Sequence, residues 1–472
     1  MQNAKIFFGS NAVAREEVSE RVSPYSGEVV STAPLCDAED AKKALQIAQD
    51  GAKFAKKSTL AQRCSWMLDV AQKLRENKED IAHTITDEVG KPIAFARIEV
   101  ERCIETLTLS AETMRTISGE TINTDAMPSG KKTMAFFRRE PAGVVVAITP
   151  FNFPLNLVAH KLAPALVAGN AVILKPTPEA PLTAYKFAKL FIESEYAIPD
   201  ALSVVYGDAE VGSALVGSNI PRVISFTGSV PVGKIIAKNA GIKKVALELG
   251  GNAATFIEKS ADLAYAATKC ALGAFVNSGQ VCISLQRIYV QEEIYDEFAE
   301  LMAAATKKLK VGNPYDDDTF MGPLIDDDAC ARAMSWVDSA IKEGAIALLL
   351  PRLEGRVFHP CVMANVRDDM AIVCEEVFAP IVSLVKVGSF DDAVERMNDS
   401  PYGLQFSIFT NDLSLTNRAI DELDAGGIVI NDMPTLRFDI QPYGGVKHSG
   451  VGREGPRFAI EEMTEIKSVV IC

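Results

Sequence analysis

Histidine, tryptophan and positive charge are all scarce in this chain. Of 472 residues only 4 are His and 2 are Trp, and 48 Lys and Arg face 62 Asp and Glu, a net charge of −14. So acidic a balance argues against wrapping a nucleic-acid backbone, which calls for clustered Lys and Arg. His83, His160, His359 and His448 lie far apart, without an H-E-x-x-H or Cys/His cluster, so no metal site is expected. There is no G-x-S-x-G elbow for serine hydrolysis. The nine cysteines are odd in number and include no C-x-x-C pair, which fits a reducing compartment better than a disulfide framework. No apolar h-region precedes the charged Arg15-Glu16-Glu17, so no secretory signal is read. The longest uncharged stretch, 141–160, is broken by Pro150, Asn152, Pro154 and Asn156 and makes no convincing membrane span. A soluble, cytoplasmic protein is the expectation.

What is present is an ordinary globular composition, 48% hydrophobic and 23% charged. At roughly 150 residues per domain, the length suggests about three domains or lobes. Residues 38–117 carry helical periodicity, with Ala41, Ala44, Leu45 and Ala48 on one face, and a break at Gly90. Residues 119–141 turn to glycines, prolines and alternating residues, which suits a β-excursion. From 143 to 257, β-rich runs at 144–148, 171–174, 203–206, 222–227, 244–249 and 253–257 alternate with helical stretches. That alternation predicts a mostly parallel sheet covered by helices, with ligands beyond the carboxyl ends of its strands. A second alternating block follows to about 440, and 465–472 reads as a last strand.

Two glycine motifs mislead. Gly228-Ser-Val-Pro-Val-Gly233-Lys234-Ile235 nearly spells a P-loop, but Ile235 stands where a hydroxyl must ligate Mg²⁺, and Pro231 removes a phosphate-binding amide. A phosphate-facing strand-to-helix turn is still expected there. Gly450-Val-Gly452-Arg-Glu-Gly455 has only 17 residues after it, too few for a dinucleotide unit of about 30 residues.

Three residues invite a sharper reading. Cys282, in Asn277-Ser-Gly279-Gln-Val-Cys282, is either a small buried hydrophobe or a thiol presented among backbone amides that stabilise a thiolate and an oxyanion. Glu248 closes an apolar strand before Gly250-Gly251, where it is either a buried ion-pair member or a general base. Asn152, between Pro150 and Pro154, is either a turn residue or a rigid amide donor for an oxyanion.

Seven motifs in order make the chain resemble the NAD(P)-dependent aldehyde dehydrogenase superfamily over essentially its whole length. They are Pro150-Phe-Asn-Phe-Pro154, Lys175-Pro-Thr-Pro-Glu179, Phe226-Thr-Gly-Ser229, Glu248-Leu-Gly-Gly251, Gly279-Gln-Val-Cys282, Glu375-Glu-Val-Phe-Ala-Pro380 and Pro442-Tyr-Gly-Gly-Val-Lys-His-Ser-Gly450. The resemblance implies NAD or NADP as cofactor, Cys282 as nucleophile, Asn152 with the Cys282 amide as oxyanion donors, and Glu248 as the base that hydrolyses a thioester. CoA-acylating relatives lack that glutamate, so its presence implies release of a free acid. It assigns the oxyanion-side loop Thr149, Pro150 and Phe151 to the cofactor, Lys175 and Glu179 to the adenosine ribose, and Gly228 and Ser229 to the pyrophosphate. Gly250, Glu376 and Phe378 fall to the nicotinamide half.

Phe151 replaces a common Trp, the acid of the ribose loop stands at Glu179 behind Pro178, and Val281 precedes the nucleophile. A carboxylate beside the 2′ position repels a 2′-phosphate, and its displacement leaves NAD and NADP both open. The late segment 435–443 resembles the branch that acts on small polar or anionic aldehydes, including lactaldehyde, phosphonoacetaldehyde and non-phosphorylating glyceraldehyde-3-phosphate dehydrogenases. There Arg102 and Arg437 match positions that clamp an anionic tail, and an ion pair is the competing reading for each.

The implied fold is α/β with two doubly wound Rossmann-like lobes and a β-arm: 1–122 with 142–249 for the cofactor, 250–449 for catalysis, and 123–141 with 450–472 as oligomerisation arm and final strand. The arm strands are expected to add to a neighbouring subunit's sheet, giving a homodimer or homotetramer. The expected partner is a small aldehyde, with no nucleic acid and no membrane. A non-catalytic member of the fold and a P-loop NTPase are the competing classes.

Overall fold

The computed structural model describes residues 2–472. Its N-terminal third is helical where the 3.6-residue periodicity lies, but in four pieces, Ala38–Lys57, Leu60–Glu76, Lys78–Val89 and Ile93–Thr116. Each break has a local cause. Asp37 caps the first helix and exchanges hydrogen bonds with Asp40 in a capping box, and Thr59 caps the second. Gly90 ends the third at φ 69°, and a Cβ there would lie 2.5 Å from Pro323 Cγ.

The runs between 144 and 248 form the centre of an eight-stranded sheet. Val144–Ile148, Ala171–Lys175 and Leu202–Val204 are laid down in one direction, and Val223–Thr227 then Lys244–Glu248 on the other side of Val144–Ile148. All these neighbours pair in parallel. The strand order therefore reverses between Val144–Ile148 and Val223–Thr227, and a crevice opens beyond their carboxyl ends. Thr149 follows one strand and Gly228 the other, so both glycine-rich and proline-rich turns flank that crevice.

The second block gives a seven-stranded sheet, Ile346–Leu349, Cys361–Ala364, Ile381–Val387, Leu285–Gln291, Ala253–Ile257, Gln405–Phe409 and Gly427–Ile430. It too is parallel except at its first edge. The two sheets meet end on in an unequal way. The chain leaves the carboxyl end of Lys244–Glu248 and, after residues 249–252, enters the amino end of Ala253–Ile257. The second lobe thus presents the amino ends of its strands to the cleft, whereas the cofactor lobe presents its carboxyl ends. Residues 276–284 before Leu285–Gln291, and 375–380 before Ile381–Val387, carry its share of the site.

The C-terminal segment divides between two places. Gly450–Val451 adds an antiparallel edge to the cofactor-lobe sheet at Glu248, and Ile460 and Met463 are buried in that lobe's core. The boundary expected at 450 therefore does not hold, and the arm begins at Thr464. Thr464–Ile471 pairs antiparallel with Met134–Pro141 along its whole length, and Glu120–Thr121 covers the other side of Met134–Pro141. The arm strands are partners of each other, so the premise that they lack partners within their own chain is corrected. Among the described residues no helix is long and apolar enough to cross a membrane.

Candidate active site

Two loops meet in the cleft, and both are held in conformations their sequences make possible. After the helix Leu263–Phe275, Asn277, Ser278 and Gly279 take positive φ values of 51°, 56° and 72° in succession. Non-glycine residues there cost roughly 1–3 kcal/mol each unless the surroundings fix them. Ser278 Oγ donates to the Gly322 carbonyl (2.8 Å), and the Gln280 side chain joins Asn277 O to the Ile325 amide. At Gly279 a Cβ would lie 2.3 Å from the Ala379 carbonyl oxygen, so only glycine fits. This turn delivers Cys282 to the cleft.

The opposing loop, 150–154, is pinned from behind by a buried pair that sequence reading missed. Glu99 accepts the Leu155 and Asn156 amides at 2.9 and 3.1 Å, a carboxylate at a helix start, and forms an ion pair with buried Lys91. Lys91 Nζ sits 3.9 Å over the Phe153 ring. The available signal was Glu99 on the buried helix face with Ala96, Val100 and Cys103. Asn152 Nδ2 donates to the Gln280 carbonyl at 3.0 Å, which ties the two loops together. An amide carries two donor hydrogens, so one is left over. Asn152 Oδ1 is buried without a partner.

Between the loops lies a cavity of about 1000 Å³. It brings together Cys282, Asn152, Arg102 and Arg437 with Thr149, Pro150, Phe151, Lys175, Glu179, Gly228, Ser229, Gly250, Glu376 and Phe378. Glu248 does not line it. That carboxyl is 4% exposed behind the wall, Oε2 has no hydrogen-bond partner, and burial together with the Glu454 carboxylate raises its pKa well above the ordinary range. Glu454 keeps its charge because Lys161 and Arg437 each approach it at 3.1 Å. The two neighbouring carboxyls are thereby pushed apart in acidity, Glu248 upward and Glu454 downward.

The Cys282 sulfur lies 3.0 Å from the Tyr443 hydroxyl, and burial pushes its thiol up to about 12 against that hydrogen bond. Glu376 accepts the Gly251 amide at 3.0 Å and is raised by burial to about 7. Both glycines of the pair are needed, since a Cβ at Gly250 would strike Glu376 Oε2 at 2.2 Å and one at Gly251 the Cys282 carbonyl at 2.2 Å. Arg332, also missed in the sequence, donates to the Val377 carbonyl (2.7 Å) and steadies the 375–380 loop.

Both predicted clamp arginines reach the cavity, and both already hold carboxylates. Arg102 grips Asp439 with two bonds of 2.9 and 2.7 Å, and Arg437 binds Glu454 and stacks 3.7 Å over the Tyr443 ring. Asp439 also meets His160 Nε2 at 2.9 Å, and its carboxyl lies far below the usual range despite burial because His160 and Arg102 hold it. The ion-pair reading thus describes Arg102.

The other half of the cavity fits a dinucleotide. The helix Val230–Asn239 begins there with Ser229 at its cap making no side-chain hydrogen bond, an anion-receptive start. Thr149 Oγ1 and Thr227 Oγ1 line the same half, buried and unpartnered. A Cβ at Gly228 would lie 2.5 Å from the Phe226 ring. Val216, Val232 and Ile235 give an apolar slot for a flat base, and Lys175 with Glu179 and Asp208 stands nearby.

A family profile described as "Aldehyde dehydrogenase family" matches residues 12–469. The chain belongs to the aldehyde dehydrogenase family. It is an NAD(P)-dependent aldehyde dehydrogenase, and its cofactor is NAD or NADP. Among relatives of this aldehyde dehydrogenase is the 3-sulfolactaldehyde dehydrogenase of Priestia aryabhattai, 42% identical over 459 residues, 96% of this chain and 95% of that one. The lactaldehyde dehydrogenase of Methanococcus aeolicus is 37% identical over 99% of both chains. The glyceraldehyde-3-phosphate dehydrogenase GapN of Methanocaldococcus jannaschii, solved with NADP, superposes with a TM-score of 0.93 at 39% identity, covering 97% of this chain and all (100%) of that one. Aldehyde dehydrogenase 21 of Physcomitrella patens, solved with the reaction product succinate, gives 0.96 at 36%, covering 100% and 98%.

Proposed function

We propose that this aldehyde dehydrogenase oxidises a short hydroxy- or carboxy-aldehyde to the free acid, with Cys282, Asn152 and Glu248 in the chemical steps. The Cys282 sulfur, as thiolate, bonds to the aldehyde carbon, and the charge passes to the carbonyl oxygen. The remaining Asn152 amide hydrogen and the Cys282 backbone N–H receive that oxyanion; losing one such donor costs on the order of 10²–10³ in rate. Cys282 keeps the acyl group as a thioester once hydride has left the former aldehyde carbon, and a nicotinamide held in the cavity would supply the hydride acceptor. Glu248, unheld at Oε2, turns out of its buried place toward the thioester, gives up its own proton to cavity water, and as the carboxylate takes a proton from the attacking water; the new C–O bond forms, the C–S bond breaks, and the acid leaves with Cys282 restored. Phe151 and Phe378, with ring centroids 6.0 Å apart and near perpendicular, form a wall for the nicotinamide half, and Glu376 holds its ribose.

One observation supports a polar, anionic substrate most directly. Lys91, Arg102 and Arg437 all border the Cys282 side of the cavity, opposed by Glu99, Asp439 and Glu454, while Lys161 behind the wall adds a further cation. These four cations exceed the three carboxylates paired with them by one, and the burial that raises the Glu248 pKa works against a further negative charge there. Val281 sits in an apolar cluster with Ile283, Leu404 and Tyr443 and adds no charge before the nucleophile. A carboxylate or hydroxyl tail therefore suits the site better than a phosphate. The names of the sulfolactaldehyde and lactaldehyde relatives support the same class. The test is a panel of lactaldehyde, succinate semialdehyde, 3-sulfolactaldehyde, glyceraldehyde-3-phosphate and propanal with NAD or NADP, followed by reduced-nicotinamide absorbance. Equal turnover of anionic and neutral aldehydes by the wild type and by Arg437→Ala overturns the clamp.

The same reading includes a homodimer or homotetramer in the cytoplasm. The arm sheet exposes Ile466, Val470 and Ile471, with Ile466 60% exposed, and all nine cysteines are unpaired. A monomer in light scattering contradicts the oligomer.

A further inference from the structure

We propose that Tyr443 is a catalytic residue: its phenol donates a hydrogen bond to the Cys282 sulfur, and the Arg437 guanidinium stacked on its ring strengthens that donation. The inference rests on Cys282 being the nucleophile. The Tyr443 oxygen lies 3.0 Å from Sγ, and Arg437 Cζ lies 3.7 Å from the ring centroid. A sulfur that has lost its proton can only accept, so the phenol is then the donor. A cation over the ring face draws electron density from the phenol and makes its O–H a better donor. Arg437 stays there because Glu454 holds its Nη2 at 3.1 Å from the far side.

The other charged groups around the sulfur oppose a thiolate. Burial disfavours negative charge on it most, and the Glu376 carboxylate adds to that. Tyr443 is the foremost group working the other way, with Arg437 the second. The proton leaves Sγ for water in the cavity, the phenol keeps its own, and the sulfur's charge moves to the aldehyde oxygen as the C–S bond forms. A phenylalanine at the same place keeps the ring and the stack but offers the sulfur nothing.

The experiment is alkylation of the full-length enzyme by iodoacetamide between pH 7 and 9, without cofactor, read as rate and as the labelled peptide. A hydrogen bond to a charged group shifts acidity by about 1–2 pH units. Nucleophilicity rises with thiol basicity at a slope of about 0.4–0.5, which returns part of the loss. Tyr443→Phe is therefore expected to label Cys282 about 3–16-fold more slowly at every pH in that range, with an unchanged melting profile. Tyr443→His, which restores an N–H donor, is expected to recover part of the rate. Labelling confined to Cys282 but equally fast in Tyr443→Phe overturns the inference alone. Labelling that persists unchanged in Cys282→Ala overturns the nucleophile reading, and this inference with it.

Discussion

Replacing Glu248 with glutamine isolates the second half of the reaction. The resting Glu248 side chain is buried and unbonded at Oε2, and burial together with the Glu454 carboxylate, which holds Lys161 and Arg437, raises its pKa. Glutamine has the same shape and cannot ionise, so it keeps the packing and removes the ability to take a proton from water. General-base catalysis is worth about 10²–10⁴ in rate, or roughly 2.7–5.4 kcal/mol of barrier. Acylation does not use this group in the proposed scheme. Stopped-flow mixing of Glu248→Gln with aldehyde and cofactor should thus give a burst near one reduced nicotinamide per subunit. A steady rate about 10²–10⁴-fold below wild type should follow, with the acyl group found on the Cys282 peptide by mass spectrometry. The stability effect has a definite sign. The folded chain keeps the Glu248 proton above its ordinary value of 4.5, whereas the unfolded chain releases it, so the wild type loses stability as pH rises past that value. The variant carries no such loss, and its melting temperature at pH 8 should equal or exceed that of the wild type. Steady turnover within threefold of wild type, or loss of the burst together with turnover, refutes the assignment.

Three further outcomes follow from the same geometry. Gly279→Ala forces an L-residue to φ 72° and sets a Cβ against the Ala379 carbonyl, so a fall of about 1–2 kcal/mol in stability and about 10²-fold slower alkylation of Cys282 are expected in melting and labelling assays. Asp439→Asn removes a carboxylate from Arg102 and His160 and should cost about 1.5–3 kcal/mol in urea unfolding at pH 7. Because the folded Asp439 carboxyl is strongly acidic, its contribution is present above the ordinary value of 3.8 and lost as pH falls below it; the gap between variant and wild type should hold from pH 8 to 5 and shrink only in stronger acid. Glu179→Gln takes a negative charge from the end of the cavity that holds Lys175, and should raise the ratio of kcat/KM for NADP over NAD by about tenfold, a Coulomb effect of about 1–2 kcal/mol; an unchanged ratio removes Glu179 from the ribose site.

Local chemistry made much of this protein legible in one dimension. Alternating β-rich and helical runs carry their own period, so the strands at 144–148, 253–257, 381–387 and 427–430 fall where their sequences place them. Gly250-Gly251 announced a close approach, because a residue without a Cβ is the usual solution where chains crowd. Glycine does not say what approaches it. That Glu376 and the Cys282 carbonyl fill those spaces was decided by the meeting of segments far apart in the chain. Periodicity likewise cannot tell which end of a sheet faces a cleft, and the second lobe turned out to present its amino ends.

Charge was the least legible property. Arg102 and Arg437 could be read as a clamp or as ion-pair members, and only the fold shows the acids that meet them, Asp439 at Arg102 and Glu454 at Arg437. His160, one of four isolated histidines in the sequence, lies against both Asp439 and Arg437. Glu248 was recognisable as an acid on an apolar strand, but its raised pKa comes from burial and from the carboxylate of Glu454, more than 200 residues away. The sequence by itself determined which side chains were available, the elements that carry them, and the family to which they belong. Tertiary structure alone decided which of them touch, and hence which acids are ionised and which donors remain free, because a protonation state is set by burial and by neighbours in space.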